Sequence, residues 1–234
     1  MAIPCTSTLG GYNLITSEEI KKKLWGGAND LRGSMDASRY KDYMLGLMFY
    51  KFLSDKTLAT YKKMSGLGNT IDPLTKYTED YAEYGQELEE MFQKILGYYI
   101  IPENLYQTWL KDIQIGDFAL EKIQKSLSSF EKSIAVGEGS TDFKGLFSSS
   151  IIDLQNSALG SDLHKRSKNI KDLILLFSDV DMIDLQENDI LGDAYEYLIG
   201  KFASDAGKKA GKFYTPRQVS EVMAQIVAKT VVSV

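Results

Sequence analysis

Residues 40–58 read YKDYMLGLMFYKFLSDKTL, and this stretch decides the fold class. Between Tyr43 and Leu53 the only charged residue is Lys51, and the other side chains are apolar or aromatic apart from one glycine. A helix that is apolar on all sides is buried among other elements. The run is far shorter than the ~20 apolar residues that cross a bilayer, and Lys and Asp residues flank it. It therefore predicts a central core helix of an all-α protein, starting near Asp36 or Ser38.

Upstream of this core helix, another helix start is well marked. Thr16 and Glu19 have the spacing of a capping box, in which each side chain accepts a hydrogen bond from the other residue's backbone N–H. The helix that follows has three apolar residues on its inner face: Ile20, Leu24 and Trp25. We expect it to stop at Gly26-Gly27, because glycine commonly ends a helix.

Downstream of the core helix, turn signals alternate with helical spacing. Residues 65–78 contain glycines, Asp72 and Pro73, which is typical of a loop. Residues 79–97 return to helical spacing and are acidic, since eight carboxylates stand against two lysines between Asp72 and Glu103. Such a stretch favours solvent or a basic partner and disfavours DNA binding there. The next helix, from about Asp117, has a heptad-like apolar seam: Leu120, Ile123, Leu127, Phe130 and Ile134.

The last third of the chain is also predicted to be helical. Residues 140–161 are rich in Ser and Gly but contain apolar residues that need burial, so we interpret them as a long packed connection. Helices follow at 170–177 and at about 188–203, the second with four residues on its inner face: Leu191, Tyr195, Leu198 and Phe202. Only residues 230–234 look strand-like. A parallel strand has no partner inside this chain, so we expect the chain to be the front portion of a longer protein, severed as an α/β domain begins.

Composition excludes several classes of protein. The single cysteine, Cys5, cannot form an internal disulfide, and the single histidine, His164, excludes zinc sites that need several Cys or His ligands. The net charge of −5 disfavours a non-specific nucleic-acid coat protein. The N-terminus lacks the pattern of a signal peptide, so we expect a cytoplasmic protein with no membrane segment. His164 lies in a basic turn, where solvation is a better explanation than a phosphate contact.

Residues 204–217, SDAGKKAGKFYTPR, carry the chemistry that the sequence suggests. A loop rich in Gly and Lys leads into a helix with Thr215 as N-cap and Pro216 at its first position. The free N–H groups of a helix N-terminus attract anions. The chain's most basic patch surrounds this point: Lys201, Lys208, Lys209, Lys212 and Arg217. A carboxylate or phosphate ligand fits such a site. A solvated loop before an ordinary helix fits as well, and the physics alone favours that simpler interpretation.

Two blocks of sequence nevertheless resemble one family. GDAYEYLIGKFA at 192–203 with GKKAGKFYTPRQV at 207–219 is similar to the modification (M) subunit of type I restriction–modification systems. LWGGANDLRGSMDASRYKDYMLGLMFYKFLSDK at 24–56 resembles the opening of the same subunit. Residues 65–165 match only in helical character. Residues 1–14 are predicted to be disordered, because the N-terminal residues are mostly small and polar. The resemblance implies a helical N-terminal domain over 15–185, and over 186–234 the junction and first helix of a truncated methyltransferase domain.

The resemblance also implies a site and an activity. The family's F-Y-T-P element contacts the methionine part of S-adenosylmethionine, which implies cofactor-binding roles for Lys212, Phe213, Tyr214, Thr215, Pro216 and Arg217. The neighbouring lysines are candidates for DNA binding: Lys201, Lys208 and Lys209. Tyr195 and Glu196 are candidates for lining the cofactor cleft, although helical spacing favours packing for Tyr195. The family's Asn-Pro-Pro-aromatic motif, which holds the target adenine, is absent, so no catalytic residue is expected here and this chain alone should not transfer methyl groups.

Partners follow from the same resemblance. Family M subunits methylate adenine N6 in DNA and assemble with a specificity subunit, a restriction subunit and a second M subunit, and the helical domain is expected to help in DNA clamping and assembly. A stand-alone helical interaction module remains the alternative. That alternative predicts a last helix packed fully on the body. The methyltransferase interpretation predicts that Val219, Val222 or Ile226 is displayed to solvent.

Overall fold

The computed structural model describes residues 16–31, 37–135, 143–148, 152–187, 190–205 and 217–231. Within these ranges there are nine α-helices and no β-strand, which confirms the predicted all-α class. The helices are α1 (Ser17–Leu31), α2 (Ala37–Met64), α3 (Pro73–Leu96), α4 (Tyr106–Ile115), α5 (Leu120–Ser133), α6 (Leu163–Leu176), α7 (Met182–Glu187), α8 (Ile190–Asp205) and α9 (Arg217–Val231). Short 3₁₀ turns lie at Pro102–Asn104 and Ser157–Leu159.

Helix α2 is the central element, as its composition predicts. It packs against α3, α4, α6, α7 and α8. Tyr43, Met44 and Leu47 have at most 1% of their surface exposed. Tyr50 stacks on Trp109 of α4 with ring centroids 4.6 Å apart, and its hydroxyl donates to the backbone oxygen of Asn104 at 3.0 Å. The rings of Tyr50 and Trp109 therefore fill the space between α2 and α4, and the polar end of Tyr50 is hydrogen-bonded.

The apolar seam of α5 is confirmed, because all five of its residues are buried. The described part of the predicted packed connection covers this region. Glu131 of α5 accepts hydrogen bonds from the backbone N–H groups of Gly145 and Phe147, both at 3.0 Å. Phe147 and Leu159 in this connection are buried. The Ser- and Gly-rich segment is thus part of the core where it is described.

Helix α1 begins as predicted, but the prediction that it stops at Gly26-Gly27 is wrong. The capping box forms, with Thr16 N–H to Glu19 Oε2 at 2.9 Å and Glu19 N–H to Thr16 Oγ1 at 3.2 Å. The helix then continues through both glycines to Leu31. A Cβ atom at Gly27 would lie 2.7 Å from the Leu176 side chain. Glycine at this position therefore permits the close approach of α1 and α6.

Helix α3 begins earlier than predicted, because Asp72 and Pro73 are start signals rather than loop signals. Asp72 is the N-cap and accepts a hydrogen bond from the Thr75 N–H at 3.0 Å. Pro73 occupies the first position, where its missing N–H costs nothing. The helix has a kink at Tyr84 and ends at Gly97, whose φ of 82° is left-handed.

The two ends of the chain are described only in part. Residues 1–14, predicted to be disordered, lie outside the described residues. The strand-like expectation at 230–234 is wrong for Thr230 and Val231, which are helical in α9, and residues 232–234 are not described. Among the described residues, none of the helices has the length and apolar character to cross a membrane.

Candidate functional site

The junction helix α8 is packed onto the helical body. It contacts α1, α7 and α2. Ala194 and Leu198 face this contact and are fully buried, as predicted for Leu198. The Ser17 hydroxyl at the start of α1 lies 3.4 Å from Asp193 Oδ2. The segment predicted to lead into a second domain therefore starts on the surface of the first.

Tyr195 corrects the predicted inner face of α8. Its side chain is 48% exposed, so the packing interpretation is wrong. It lies at the rim of an apolar groove of about 600 Å³ between α2, the 143–148 turn, α7 and α8. The groove walls are mainly apolar: Leu45, Met48, Phe49, Leu146 and Phe147. Sequence reasoning missed this groove, because a helix that is apolar on all sides gives no sign of which side stays uncovered.

Helix α9 exposes its apolar stripe, whose members are between 48% and 61% exposed: Val219, Val222, Met223, Ile226 and Val227. On an amphipathic helix such a stripe ordinarily packs against another element. The methyltransferase interpretation predicts this exposure. The stand-alone module instead requires a last helix that is fully packed on the body, which is not observed for α9.

Most of the predicted cofactor residues cannot be placed. Residues 212–216 lie outside the described residues, as do Lys208 and Lys209. Arg217 is the first residue of α9, so the described helix starts directly after the F-Y-T-P element. An N-terminus at this place presents free backbone N–H groups and the positive end of the helix dipole, which suits a ligand carboxylate.

Lys201 is the predicted DNA-binding residue that the structure does describe. It is exposed on α8, and its Nζ lies 5.5 Å from the ring centroids of both Trp25 and Tyr197. Cation–π contacts of this kind hold an ammonium group at the surface without neutralising its charge. Lys201 is therefore fixed next to α1, with its charge available to an anion.

The junction is also tied to the core by a buried carboxylate. Asp55 of α2 accepts a hydrogen bond from the backbone N–H of Met182, the first residue of α7, at 3.1 Å. Burial raises the pKa of Asp55, while the adjacent Lys51 ammonium acts in the opposite direction. The first N–H group of α7 is therefore hydrogen-bonded to a carboxylate of the central helix, and α8 is the next helix along the chain.

Comparison with known proteins identifies the family. The family model described as "HsdM N-terminal domain" matches residues 20–177, which is most of the chain. The chain belongs to the HsdM N-terminal domain family. A second model, "N-6 DNA Methylase", matches residues 186–234, so the HsdM N-terminal domain is followed here by a methylase segment that contains α8 and α9.

Similar proteins agree with this assignment. A type I restriction enzyme MpnII methylase subunit from Mycoplasma pneumoniae is 31% identical over 88% of this chain, and a MjaIX methylase subunit from Methanocaldococcus jannaschii is 27% identical over 89%. A solved type I restriction-modification methyltransferase subunit from Streptococcus thermophilus is 32% identical, with a TM-score of 0.76 over 90% of this chain. The chain spans 39%, 35% and 44% of these three proteins, respectively.

Proposed function

We propose that this chain works as the N-terminal part of the M subunit of a type I restriction–modification enzyme, which methylates adenine N6 in DNA in the cytoplasm. One observation carries the proposal: the N-6 DNA methylase match begins at residue 186, and α8 within that match is packed on the HsdM N-terminal domain. The methylase portion therefore starts from a fixed platform. A helical domain held in this way is suited to close on DNA and to dock onto other subunits.

The exposed stripe of α9 supports this assignment over the stand-alone interaction module. Val219, Val222 and Met223 lie within the methylase match and are about half exposed. We infer that the rest of a methylase domain covers them in the complete subunit. Fully burying an exposed apolar side chain contributes about 1.5–3 kcal/mol, so each half-exposed residue of the stripe would contribute roughly half as much to anchoring α9 on such a domain.

S-adenosylmethionine is the cofactor that the proposal implies. The start of α9 suits the cofactor's carboxylate, because the first N–H groups of a helix have no partner within the helix. Residues 212–217 would hold the methionine part, with Phe213 and Tyr214 against the sulfonium, whose charge favours aromatic faces. When bound, the cofactor supplies the methyl group. On this proposal Lys201, Lys208 and Lys209 contact DNA phosphates next to the site.

Methyl transfer tests the enzyme assignment. We expect no incorporation of labelled methyl groups into adenine DNA by the 234-residue chain, since the segment that would hold the flipped adenine is absent from it. A subunit in which residues 1–234 precede a complete N-6 methylase domain, assembled with its specificity subunit, should label adenine. Labelling by the 234-residue chain, or no labelling by the complete assembly, would contradict the proposal.

Salt dependence of binding tests the DNA contacts in that assembly. Each phosphate contact contributes about 0.9 to the slope of log affinity against log salt. The slope is negative, and the triple change Lys201→Gln, Lys208→Gln and Lys209→Gln should therefore reduce its magnitude by up to about 3. Lys63→Gln, at an exposed lysine in the last turn of α2, is the control and should leave it unchanged. An unaltered slope in the triple variant would remove these lysines from the DNA interface.

A further inference from the structure

A second cavity lies away from the junction. It has a volume of about 200 Å³ and is lined by α3, the chain after α3, the 3₁₀ turn at Pro102–Asn104 and α5. The lining residues that the structure describes include none from α8 or α9. Sites for drug-sized molecules usually measure ~300–1,000 Å³, so a nucleoside-bearing cofactor is too large for it.

One side of this cavity carries a negative charge. Glu89 of α3 accepts a hydrogen bond from the Tyr81 hydroxyl, and the Tyr99 side chain lines the cavity beside them. Among the described residues no Lys or Arg forms an ion pair with Glu89. Burial raises the pKa of both tyrosines, and the Glu89 charge adds to this, so both phenols stay protonated as donors. The carboxylate therefore has lone pairs available for a cation.

The other side of the cavity carries donors and a positive charge. Lys132 and Ser129 of α5 line it, and neither makes an ion pair or hydrogen bond within the described part of the chain. Asn104 lines it as well and is only 6% exposed. The Asn104 Oδ1 accepts from the Ser126 hydroxyl at 3.0 Å, but its Nδ2 has no partner among the residues described. The Asn104 Nδ2 is therefore available as a donor to a ligand in the cavity.

The two charges face the same space without neutralising each other. Lys132 and Glu89 both line the cavity, yet they form no ion pair within 4.0 Å. Tyr50 and Phe130 also line the cavity, and both side chains are almost completely buried. A ligand that is anionic at one end and cationic at the other would satisfy both sides at once. A singly charged ligand would leave one side unpaired.

We propose that this cavity binds a small zwitterion of the free amino acid class. The ligand's ammonium group lies towards Glu89 and the rings of Tyr81 and Tyr99, because carboxylates and aromatic faces both attract cations. Its carboxylate lies towards Lys132, Ser129 and the Asn104 amide. The volume accommodates the amino acid and a small apolar side chain against Phe130.

Calorimetric titration of the 234-residue chain tests this proposal. The probes are free glycine, alanine and leucine, together with isopentylamine and isocaproate, which each keep one half of leucine. We expect saturable binding of at least one amino acid. Each half-ligand should bind at least about tenfold more weakly, since each lacks one of the two charged groups that the cavity would bind. No binding of any amino acid, or equal binding of a half-ligand, would overturn the proposal.

Matched variants locate the binding. Glu89→Gln and Lys132→Met should each weaken binding of the amino acid about tenfold or more. Glu90→Gln on α3 and Lys125→Met on α5 change exposed charges that do not line the cavity, and they should leave affinity unchanged. Lys132 is exposed, so its variant should fold as the wild type does, with the same melting curve. If the control variants lose as much affinity as the cavity variants, the ligand binds elsewhere.

Discussion

Lys51 and Asp55 lie one turn apart on α2 and form a buried ion pair of 2.8 Å in which the side chains are only 6% and 10% exposed. Asp55 also accepts hydrogen bonds from the Gln107 side chain and from the Met182 N–H. The carboxylate thus joins α2 to α4 and to the start of α7. The Lys51 ammonium lies 5.7 Å from the centre of the Tyr106 ring, which adds a cation–π contact.

Removing Lys51 should destabilise the chain strongly. Lys51→Met leaves the Asp55 charge buried and without its cation, which typically costs about 3–5 kcal/mol. Lys168 and Asp172 have the same spacing on α6 but are 61% and 33% exposed, which makes them a matched control. We expect Lys168→Met to cost less than about 1 kcal/mol, because water screens the pair. Urea unfolding of both variants measures the difference, and equal costs would contradict the buried role.

Asp55 should also give stability an unusual dependence on pH. Its folded-state pKa is raised, chiefly by burial, so the folded chain binds its proton more tightly than the unfolded chain does. The stability that protonated Asp55 contributes is complete below the unfolded pKa of about 3.9 and is lost as pH rises through the raised pKa. The unfolding free energy of wild type minus that of Asp55→Asn should therefore fall as pH rises above about 4. A difference that rises instead would mean that Lys51 outweighs burial.

Asp72 should show the opposite sign. The Thr75 hydroxyl and N–H both bond to its carboxylate and hold its pKa below the usual value, with the hydroxyl as the larger cause. Its contribution is present above about pH 3.9 and is lost as pH falls through the lowered pKa. Asp72→Asn should keep most of the cap and remove this acid dependence, whereas Asp72→Ala should cost about 1 kcal/mol at neutral pH. Urea midpoints measured from neutral pH into acid separate the two variants.

The sequence predicted helix features correctly where those features depend only on residues of the same helix. The Thr16–Glu19 capping box and the α5 seam depend on spacing within one helix, and both form as expected. Gly27 and Tyr195 were misread because their surroundings come from distant segments. Gly27 is a glycine because the Leu176 side chain lies against it, and Tyr195 is exposed because it lies at a groove bordered by Phe147. Spacing within a helix contains no information on either contact.

The candidate sites also differ in whether the sequence alone can predict them. The F-Y-T-P element is visible in the sequence because a helix start and its loop are contiguous. Glu89 and Lys132, by contrast, belong to different helices, and only the packing of the chain brings them to one cavity. The acidic character of α3 is visible in the sequence, but its residue Glu89 could not be distinguished from its neighbours without the fold.

The apolar stripe of α9 should contribute little to the stability of this chain but should be needed for methylation by the complete subunit. Val222→Gln and Met223→Gln change side chains that are more than half exposed, so the unfolding free energy of the 234-residue chain should move by less than about 0.5 kcal/mol. Leu198→Gln, at a buried position of α8, is the control and should cost several times more, since it buries an amide. In the complete methylase assembly the α9 variants should lower adenine methylation. Unchanged methylation would mean that no methylase domain covers the stripe.

Gly26 and Gly27 are adjacent glycines in α1 that should respond oppositely to alanine. Nothing lies within 4 Å of a Cβ at Gly26, so Gly26→Ala should stabilise the chain by about 0.5–1 kcal/mol through helix propensity. At Gly27 a Cβ would lie 2.7 Å from both terminal carbons of Leu176, so that side chain or α1 itself must move. Overpacking of this kind typically costs about 1–3 kcal/mol, which exceeds the propensity gain. Gly27→Ala should therefore melt below wild type and Gly26→Ala above it.

The double change Gly27→Ala with Leu176→Ala makes room for the new methyl group. Adding Gly27→Ala to a chain that already carries Leu176→Ala should therefore no longer lower its stability. If Gly27→Ala stabilises the chain as much as Gly26→Ala does, close packing of α1 on α6 is not the reason for this glycine.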